Sequence, residues 1–518
     1  MSNLPFITLL TLLPLVGGGV LIAFGRVQAA QARRLALGVS AGALALVLAM
    51  MIMFEPGSGV LQFVQRLDWV PALGVQYFVG ADGLGLLMLL LTALVVPMAV
   101  LASNRITERA HLYFALVLFL EAGLFGTFTA QNFFHWFLFW ELSLVPAFFL
   151  IKLWGGPERG PAATQFFIYT MVGSVAMLLS FLAIFLATGQ FNFPELAELS
   201  RQGRLGASLA SKLTWAGLSP ETVRFLVFGG VFLGLAVKVP VMPFHTWLPT
   251  AYAEAPTPVT MLLTGVMSKM GVYGFLRILV PLFPAELRAL MTPLLVLAVL
   301  TIVAGAAAAF AQRDLKRMLA YSSINHLGYC LLGIFAVVKF TANTPALVTE
   351  KAAVLNGVLL QMFNHGLTAA TLFGFVGLLE QRSGGRRGLD DFGGLRMVAP
   401  VFAGLMGIAV FASLGLPGLN GFVGEFLIFK GAFPLATWAT AVAALGLLIT
   451  AVFLLTLLQR VFQGPLNPQW AQFPDLSTRE RWLFGPAVAL MFVVGVGPQI
   501  LIRLFNATAL HWVTRLLS

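Results

Sequence analysis

The sequence predicts an all-α integral membrane protein of about fourteen spans, since a run of about 20 mainly apolar residues crosses a bilayer and such runs recur along the chain. Three observations carry this reading. Hydrophobic residues make up 59% of the chain and charged residues 10%, where a soluble domain has roughly 25% charged. No polar stretch is long enough to be a separate soluble domain. The formal net charge of +11 comes from arginines placed in short loops between apolar runs, a pattern of membrane topology rather than of nucleic-acid binding. The one cysteine, Cys330, lies inside an apolar run, so no disulfide within the chain and no Cys-based metal or iron–sulfur site is possible. No glycine-rich dinucleotide loop follows a strand, and Gly17–Gly19 lie in an apolar run, where small residues serve helix packing.

In order, the first spans are expected near Leu4–Phe24 and Leu35–Phe54. Ala30-Gln31-Ala32 resembles a signal-peptidase site, but no basic residue precedes the apolar run and Arg26 lies between the run and that site, so the first span is expected to remain uncleaved. A polar loop with Glu55, Arg66 and Asp68 leads to a third span beginning near Asp82, itself expected to cap the helix. The fourth span is expected over His111–Ala130, the fifth over Asn132–Lys152 and the sixth over Thr164–Thr188. The polar segment Asn192–Glu221 connects to a seventh span that Pro240, Pro243 and Pro249 must break, each lacking the amide proton a helix needs. The eighth to eleventh spans are expected over Val259–Val280, Leu287–Gln312, Met318–Val338 and Ala352–Leu379. The last three are expected over Val398–Phe433, Thr437–Leu458 and Trp482–Leu504.

Loop charges orient the chain. Arg26, Arg33 and Arg34, then Arg105 and Arg109, Lys152 and Arg159, Arg313, Lys316 and Arg317, and Arg382, Arg386 and Arg387 all fall on one face, expected to be cytoplasmic, with both termini on the other. The twelfth span contains Leu414-Gly415-Leu416-Pro417-Gly418, which should unwind, with Glu425 after it. The two interruptions, near Pro240 and near Pro417, lie five spans apart; an odd offset reverses orientation, the pattern of an inverted repeat. The expected organisation is residues 1–109 as three N-terminal spans, 110–280 and 281–460 as two inverted repeats, and 461–518 as a C-terminal loop and span.

Ionisable groups inside spans are the candidate functional residues, because a charge at the bilayer centre costs about 2.5–3.5 kcal/mol and marks an ion or proton pathway by default. Lys238 precedes the first interruption and Lys269 lies in the eighth span. Glu141 sits half-way along the fifth span between bulky apolar residues. His245 is seven residues after Lys238, on the same face if the helix continues. His326 and His365 each lie among apolar residues, where a histidine is either a hydrogen-bonded packing residue or a relay. Glu121, in the fourth span, is either an auxiliary proton site or a group facing a neighbouring subunit. Lys430 is a helix-end lysine expected to snorkel. No paired ligand spacing accompanies the histidines, so no metal site is expected.

The stretch LAVKVPVMPFHTWLPTAYAEAPTPVTMLLTGVMSKMGVYG, with FWELSLVP around Glu141, resembles the antiporter-like membrane subunits of respiratory complex I (proton-pumping NADH–quinone oxidoreductase) and of Mrp-type cation/proton antiporters. The resemblance runs from about Asp82 to Arg460; Tyr252 departs from it, many relatives having histidine there. It implies that Glu141 pairs with Lys238, and that His326 and His365 belong to a polar axis across the membrane centre. The run LNGFVGEFLIFKGAF resembles the M-type subunit, in which Glu425 would end the line of carriers.

The implied function is proton translocation through Glu141, Lys238, Lys269, His326, His365 and Glu425, coupled to electron transfer in other subunits of an NADH–quinone oxidoreductase. Its partners would be the L-type and N-type antiporter-like subunits of the membrane arm, the bilayer and protons; it would be multi-pass in the cell's inner (cytoplasmic) membrane. No NADH, flavin, iron–sulfur or quinone site is evident, so no cofactor is expected in this chain. The alternatives are an Mrp-type sodium/proton antiporter subunit and a D-type subunit of a photosynthetic ferredoxin–plastoquinone oxidoreductase.

Overall fold

A bilayer core offers no water to backbone N–H and C=O groups, so each apolar run must satisfy them within itself and becomes a helix. The computed structural model of the chain describes residues 4–25, 27–213, 217–339 and 344–516; Arg26, one of the arginines used for orientation, lies outside them. The first helices are α1 (Phe6–Ala23) and α2 (Ala29–Met53), followed by α3 (Gly83–Ala102), α4 (Ala110–Thr129), α5 (Phe133–Trp154) and α6 (Arg159–Thr188). Two short amphipathic helices, α7 (Phe193–Arg201) and α8 (Arg204–Lys212), fill the polar segment, burying Phe193, Leu196, Leu205 and Leu209. Then come α9 (Pro220–Lys238), α10 (Trp247–Glu254), α11 (Thr257–Leu282) and the short α12 (Pro284–Ala289). The second half holds α13 (Met291–Phe310), α14 (Leu315–Val338), α15 (Pro345–Arg382), α16 (Pro400–Ser413), α17 (Asn420–Leu435) and α18 (Thr437–Phe462). The chain closes with α19 (Thr478–Val496) and α20 (Gln499–His511).

Among the described residues, 12 helices are long and apolar enough to cross a membrane, or 13 if α19 and α20 are one bent span. The last span was expected over Trp482–Leu504; there α19 and α20 meet at 63°, at Gly497 and Pro498, where a proline cannot continue the helix ladder. The expected twelfth span is two shorter helices, α16 and α17. The expected eleventh span runs longer at both ends, as the 38-residue α15.

The loop expected after the second span is an antiparallel β-hairpin, β1 (Gln62–Val70) and β2 (Val75–Ala81), with Arg66 opposite Phe78 and Leu67 opposite Tyr77. Its β-branched and aromatic residues between polar ones are a strand signal that the polarity of the loop concealed. Polar side chains start the long helices: Asp82 accepts from Gly85 N at 3.1 Å, Asn132 from Phe134 N at 3.1 Å and Asp314 from Arg317 N at 2.9 Å. Asp82 thus caps α3 as expected.

Both expected interruptions are present. Helix α9 stops at Lys238 and α16 stops at Ser413, each resuming several residues later as α10 and α17. The two breaks open alike, Val241 N donating to Ala236 O at 2.8 Å and Leu416 N to Phe411 O at 3.0 Å, each across five residues. At the first break the freed backbone groups find side chains: Trp247 Nε1 donates to Val237 O at 3.1 Å, and Met242 N to Thr301 Oγ1 at 3.1 Å. Helix α11 is wholly enclosed by the others and contains two π-helical turns, Leu263–Met267 and Phe275–Leu279. Such widened turns are rare and occur frequently at functional sites. Lys430 was expected at a helix end; it lies inside α17, exposed, and reaches Glu350 at 2.6 Å.

Candidate functional site

Lys269 lies on α11 just after the first π turn, fully buried. An ammonium group has three N–H donors. Here Nζ finds three acceptors: Thr264 O at 2.5 Å, His365 Nδ1 at 2.8 Å and Ser268 Oγ at 3.3 Å. With Lys269 donating, His365 Nδ1 is the acceptor and its proton sits on Nε2. The contact is possible because α11 and α15 cross backbone to backbone: a Cβ added at Gly366 would overlap Gly265 O and the Leu91 side chain.

The His365 ring lies 5.1 Å, centroid to centroid, from that of His326 on α14. His326 Nδ1 is 3.2 Å from Glu425 Oε1, and its Nε2 is 3.3 Å from Ser413 Oγ. Gln361 Nε2 donates to the same Glu425 oxygen at 3.3 Å. Glu425 sits early in α17, just beyond the second break. Gly415 within that break has φ +78°, which favours glycine, and a Cβ there would displace the Glu425 carboxyl. The result is one buried series, Lys269–His365–His326–Glu425, drawn from α11, α15, α14 and α17. Lysine, imidazole and carboxyl can each bind or release a proton, so the Lys269–His365 and His326–Glu425 contacts can each pass one, while the two imidazoles meet through their rings.

Lys238 and Glu141 form a separate group. Lys238 ends α9, where a cation complements the helix dipole, and its Nζ lies 4.9 Å above the Trp140 ring. Trp140 is held by its Nε1, which donates to Ser174 Oγ at 2.9 Å. The pair expected between Glu141 and Lys238 is not closed by contact: neither Lys238 Nζ nor Glu141 Oε1 has a hydrogen-bond partner. The indole ring occupies the position beside the ammonium. Glu141 is half-buried, on the same stripe of α5 as the exposed Leu138, Val145 and Phe149.

Two expected residues lie outside both groups. The helix stops at Lys238, so His245 does not stack on it; its Nδ1 has no partner and its ring lies 6.1 Å from that of Tyr321. Glu121 is 0% exposed, which overturns the reading that it faces a neighbouring subunit; its Oε2 accepts from Ser40 on α2 at 3.0 Å and its Oε1 has no partner.

Residues 130–450 match the family described as NADH:quinone oxidoreductase/Mrp antiporter, TM. The chain belongs to this family. Over 528 residues it is 34% identical to NADH-quinone oxidoreductase subunit M of Rhodobacter capsulatus, covering 99% of this chain and 97% of that protein. It is 37% identical over 458 residues to NAD(P)H-quinone oxidoreductase chain 4 of Acaryochloris marina, covering 86% and 80%. Its fold matches a chain of respiratory complex I from Thermus thermophilus with TM-score 0.83 and 29% identity, over 99% of this chain and 100% of that one. The chain is thus a multi-pass membrane protein with the antiporter-like fold of the complex I membrane arm.

Within this family fold, sequence reasoning missed Trp140, Gln361 and Ser413. A signal for one existed: Gln361, His365 and Thr368 are polar, spaced four and three residues apart in an apolar run, and so share one helix face. It also missed the ion pair between Asp82 and Arg277, 2.6 Å apart and almost fully buried.

Proposed function

We propose that this chain is the M-type proton-translocating subunit of an NADH–quinone oxidoreductase membrane arm. The redox chemistry belongs to partner subunits, and L-type and N-type antiporter-like chains are its neighbours. The observation that carries the reading is the series Lys269–His365–His326–Glu425, with contacts of 2.8 and 3.2 Å at its two ends. Four groups able to exchange protons are buried in line, where an isolated charge is costly and a neutral apolar core would be more stable. The two interrupted helices, opening with the same five-residue hydrogen bond, support two inverted repeats, residues 110–280 and 281–460. The carboxylate at Glu425 supports the M-type assignment, and the names of the relatives agree with it.

In this reading the open Glu141–Lys238 pair is the control element. When the carboxylate closes on Lys238 the ammonium gains a counter-charge; when it opens, the ammonium is left with the Trp140 ring alone. Each proton moved against a membrane potential requires about 2.3 kcal/mol per 100 mV, within reach of one such rearrangement. The loop arginines support an orientation with both termini on the non-cytoplasmic side, and the bacterial relatives support the cell's inner membrane. The test is Lys238→Arg in the assembled complex: arginine keeps the charge but does not release its proton. NADH-driven proton pumping should be lost; wild-type pumping would reduce Lys238 to a fixed charge. The same fold in a sodium/proton antiporter of Mrp type is distinguished by the purified native complex, which should contain flavin- and iron–sulfur-bearing subunits.

A further inference from the structure

Helix α11 continues past Lys269 toward the membrane face that carries the α4–α5 turn. Tyr273 and Arg277 follow at four-residue steps, on the same side of the helix. Tyr273 is fully buried and its hydroxyl donates to Phe128 O at 3.1 Å. Arg277 lies about two turns beyond Lys269, or about 12 Å. Its guanidinium is held between two rings, 5.4 Å from Tyr273 and 5.3 Å from Trp512, and pairs with Asp82 at 2.6 Å.

Beyond it is a cavity of about 410 Å³ with exposed Val60, Glu198 and Arg201 at its rim and Asp82, Gln131 and Arg277 in its lining. The cavity therefore brings the outer surface to Arg277, and Arg277 stands between it and the lysine. A guanidinium is always charged in a protein and has no acceptor site, so it can neither take a proton from the cavity nor pass one inward. Paired with Asp82 the guanidinium carries little net charge to the cavity; what it interposes at the constriction is a group that cannot relay a proton.

We propose that Arg277 is a non-relaying plug: it closes the cavity side of α11 against proton return to Lys269, and Asp82 together with the two rings holds it there. This rests on the reading of Lys269 as a proton carrier. Asp82 serves two roles at once, capping α3 and anchoring the guanidinium.

The experiment uses membrane vesicles containing the assembled complex with Arg277→Gln. A proton gradient built by NADH oxidation is left to decay after the NADH is exhausted, and is followed with a pH-sensitive dye. Decay should be roughly tenfold faster than wild type, with uncoupled NADH oxidation unchanged. Adding Lys269→Met to Arg277→Gln should restore slow decay, because the leak runs through the lysine. An assembled Arg277→Gln complex as tight as wild type overturns the proposal. If Arg277→Gln fails to assemble because Asp82 is left unpaired, Asp82→Asn/Arg277→Gln removes both charges and keeps an N-cap, and the same leak is expected. If that pair also fails to assemble, Arg277 is a structural ion-pair partner and the proposal falls. Lys269→Met alone separates the two readings: normal pumping in that variant removes the carrier role, whereas lost pumping beside a tight Arg277→Gln complex removes only the plug.

Discussion

Lys269 Nζ and His365 Nδ1 are 2.8 Å apart, on two helices whose backbones touch. An ammonium donating to an imidazole nitrogen is a proton already aimed at its acceptor. Transfer would leave Lys269 neutral and His365 charged, next to His326 and Glu425. His365→Ala removes that acceptor. Proton pumping is expected to fall by roughly 10²-fold, the lower end for loss of a positioned acid–base group, with assembly retained. His326→Ala breaks the series at its next step and should show the same phenotype, measured as NADH-driven vesicle acidification. Normal acidification by both variants would mean the imidazoles only pack.

Glu425 must bind and release a proton if it ends the series. Glu425→Ala should abolish pumping, and Glu425→Asp should retain part of it, because the carboxyl survives on a chain one methylene shorter. Glu425→Gln is the sharper comparison, keeping the hydrogen bond from Gln361 and the shape while losing the proton site. Pumping by Glu425→Gln at the wild-type rate would assign the residue a packing role.

Trp140 stands where the Glu141–Lys238 pair was expected to close. A desolvated cation–π contact contributes about 2 kcal/mol. Trp140→Leu should therefore weaken the open state and favour direct closure of the pair, slowing coupled electron transfer without preventing assembly. Glu141→Gln should lower pumping and the coupled electron transfer together. Unchanged turnover in both assembled variants would remove this group from the mechanism.

At the membrane face that carries the end of α5, Arg387 bridges three acids: Asp314 at 2.6 Å, Glu254 at 2.9 Å and Glu380 at 3.5 Å. Glu254 is 5% exposed on its side chain, so removing the cation strands a buried carboxylate. Arg387→Ala should destabilise the purified protein by roughly 3 kcal/mol, the value for breaking a buried pair, seen as a lower unfolding temperature in detergent. The exposed Lys430–Glu350 pair is the control: Lys430→Ala should change stability by less than about 1 kcal/mol. Equal effects would show that burial does not set the strength of these pairs.

The crossing of α11 and α15 gives a packing test. Gly366→Ala places a Cβ against the Gly265 carbonyl, and neither backbone can yield without moving Lys269 from His365. A cost of about 1–3 kcal/mol is expected, with loss of pumping out of proportion to the loss of stability. A stable Gly366→Ala complex with full pumping would mean that the Lys269–His365 contact tolerates displacement.

The sequence by itself determined the membrane class, nearly all the membrane spans and both interruptions. These follow from local causes: apolar runs must form helices in lipid, and clusters of proline and glycine interrupt them, where single prolines such as Pro97 and Pro146 do not. It also named every member of the buried series, since ionisable residues inside apolar runs are conspicuous one at a time. The connections among them were decided by the tertiary structure. Lys269, His365, His326 and Glu425 come from four helices, and whether two such residues meet depends on where those helices cross. The crossings are set by small-residue contacts such as Gly265 against Gly366, and nothing along one strand of sequence ties those two positions together. The same holds for Trp140 beside Lys238 and for Asp82 beside Arg277, 195 residues apart. Where a charge can stand is a local property of the chain. Which charge it faces is a property of the packing.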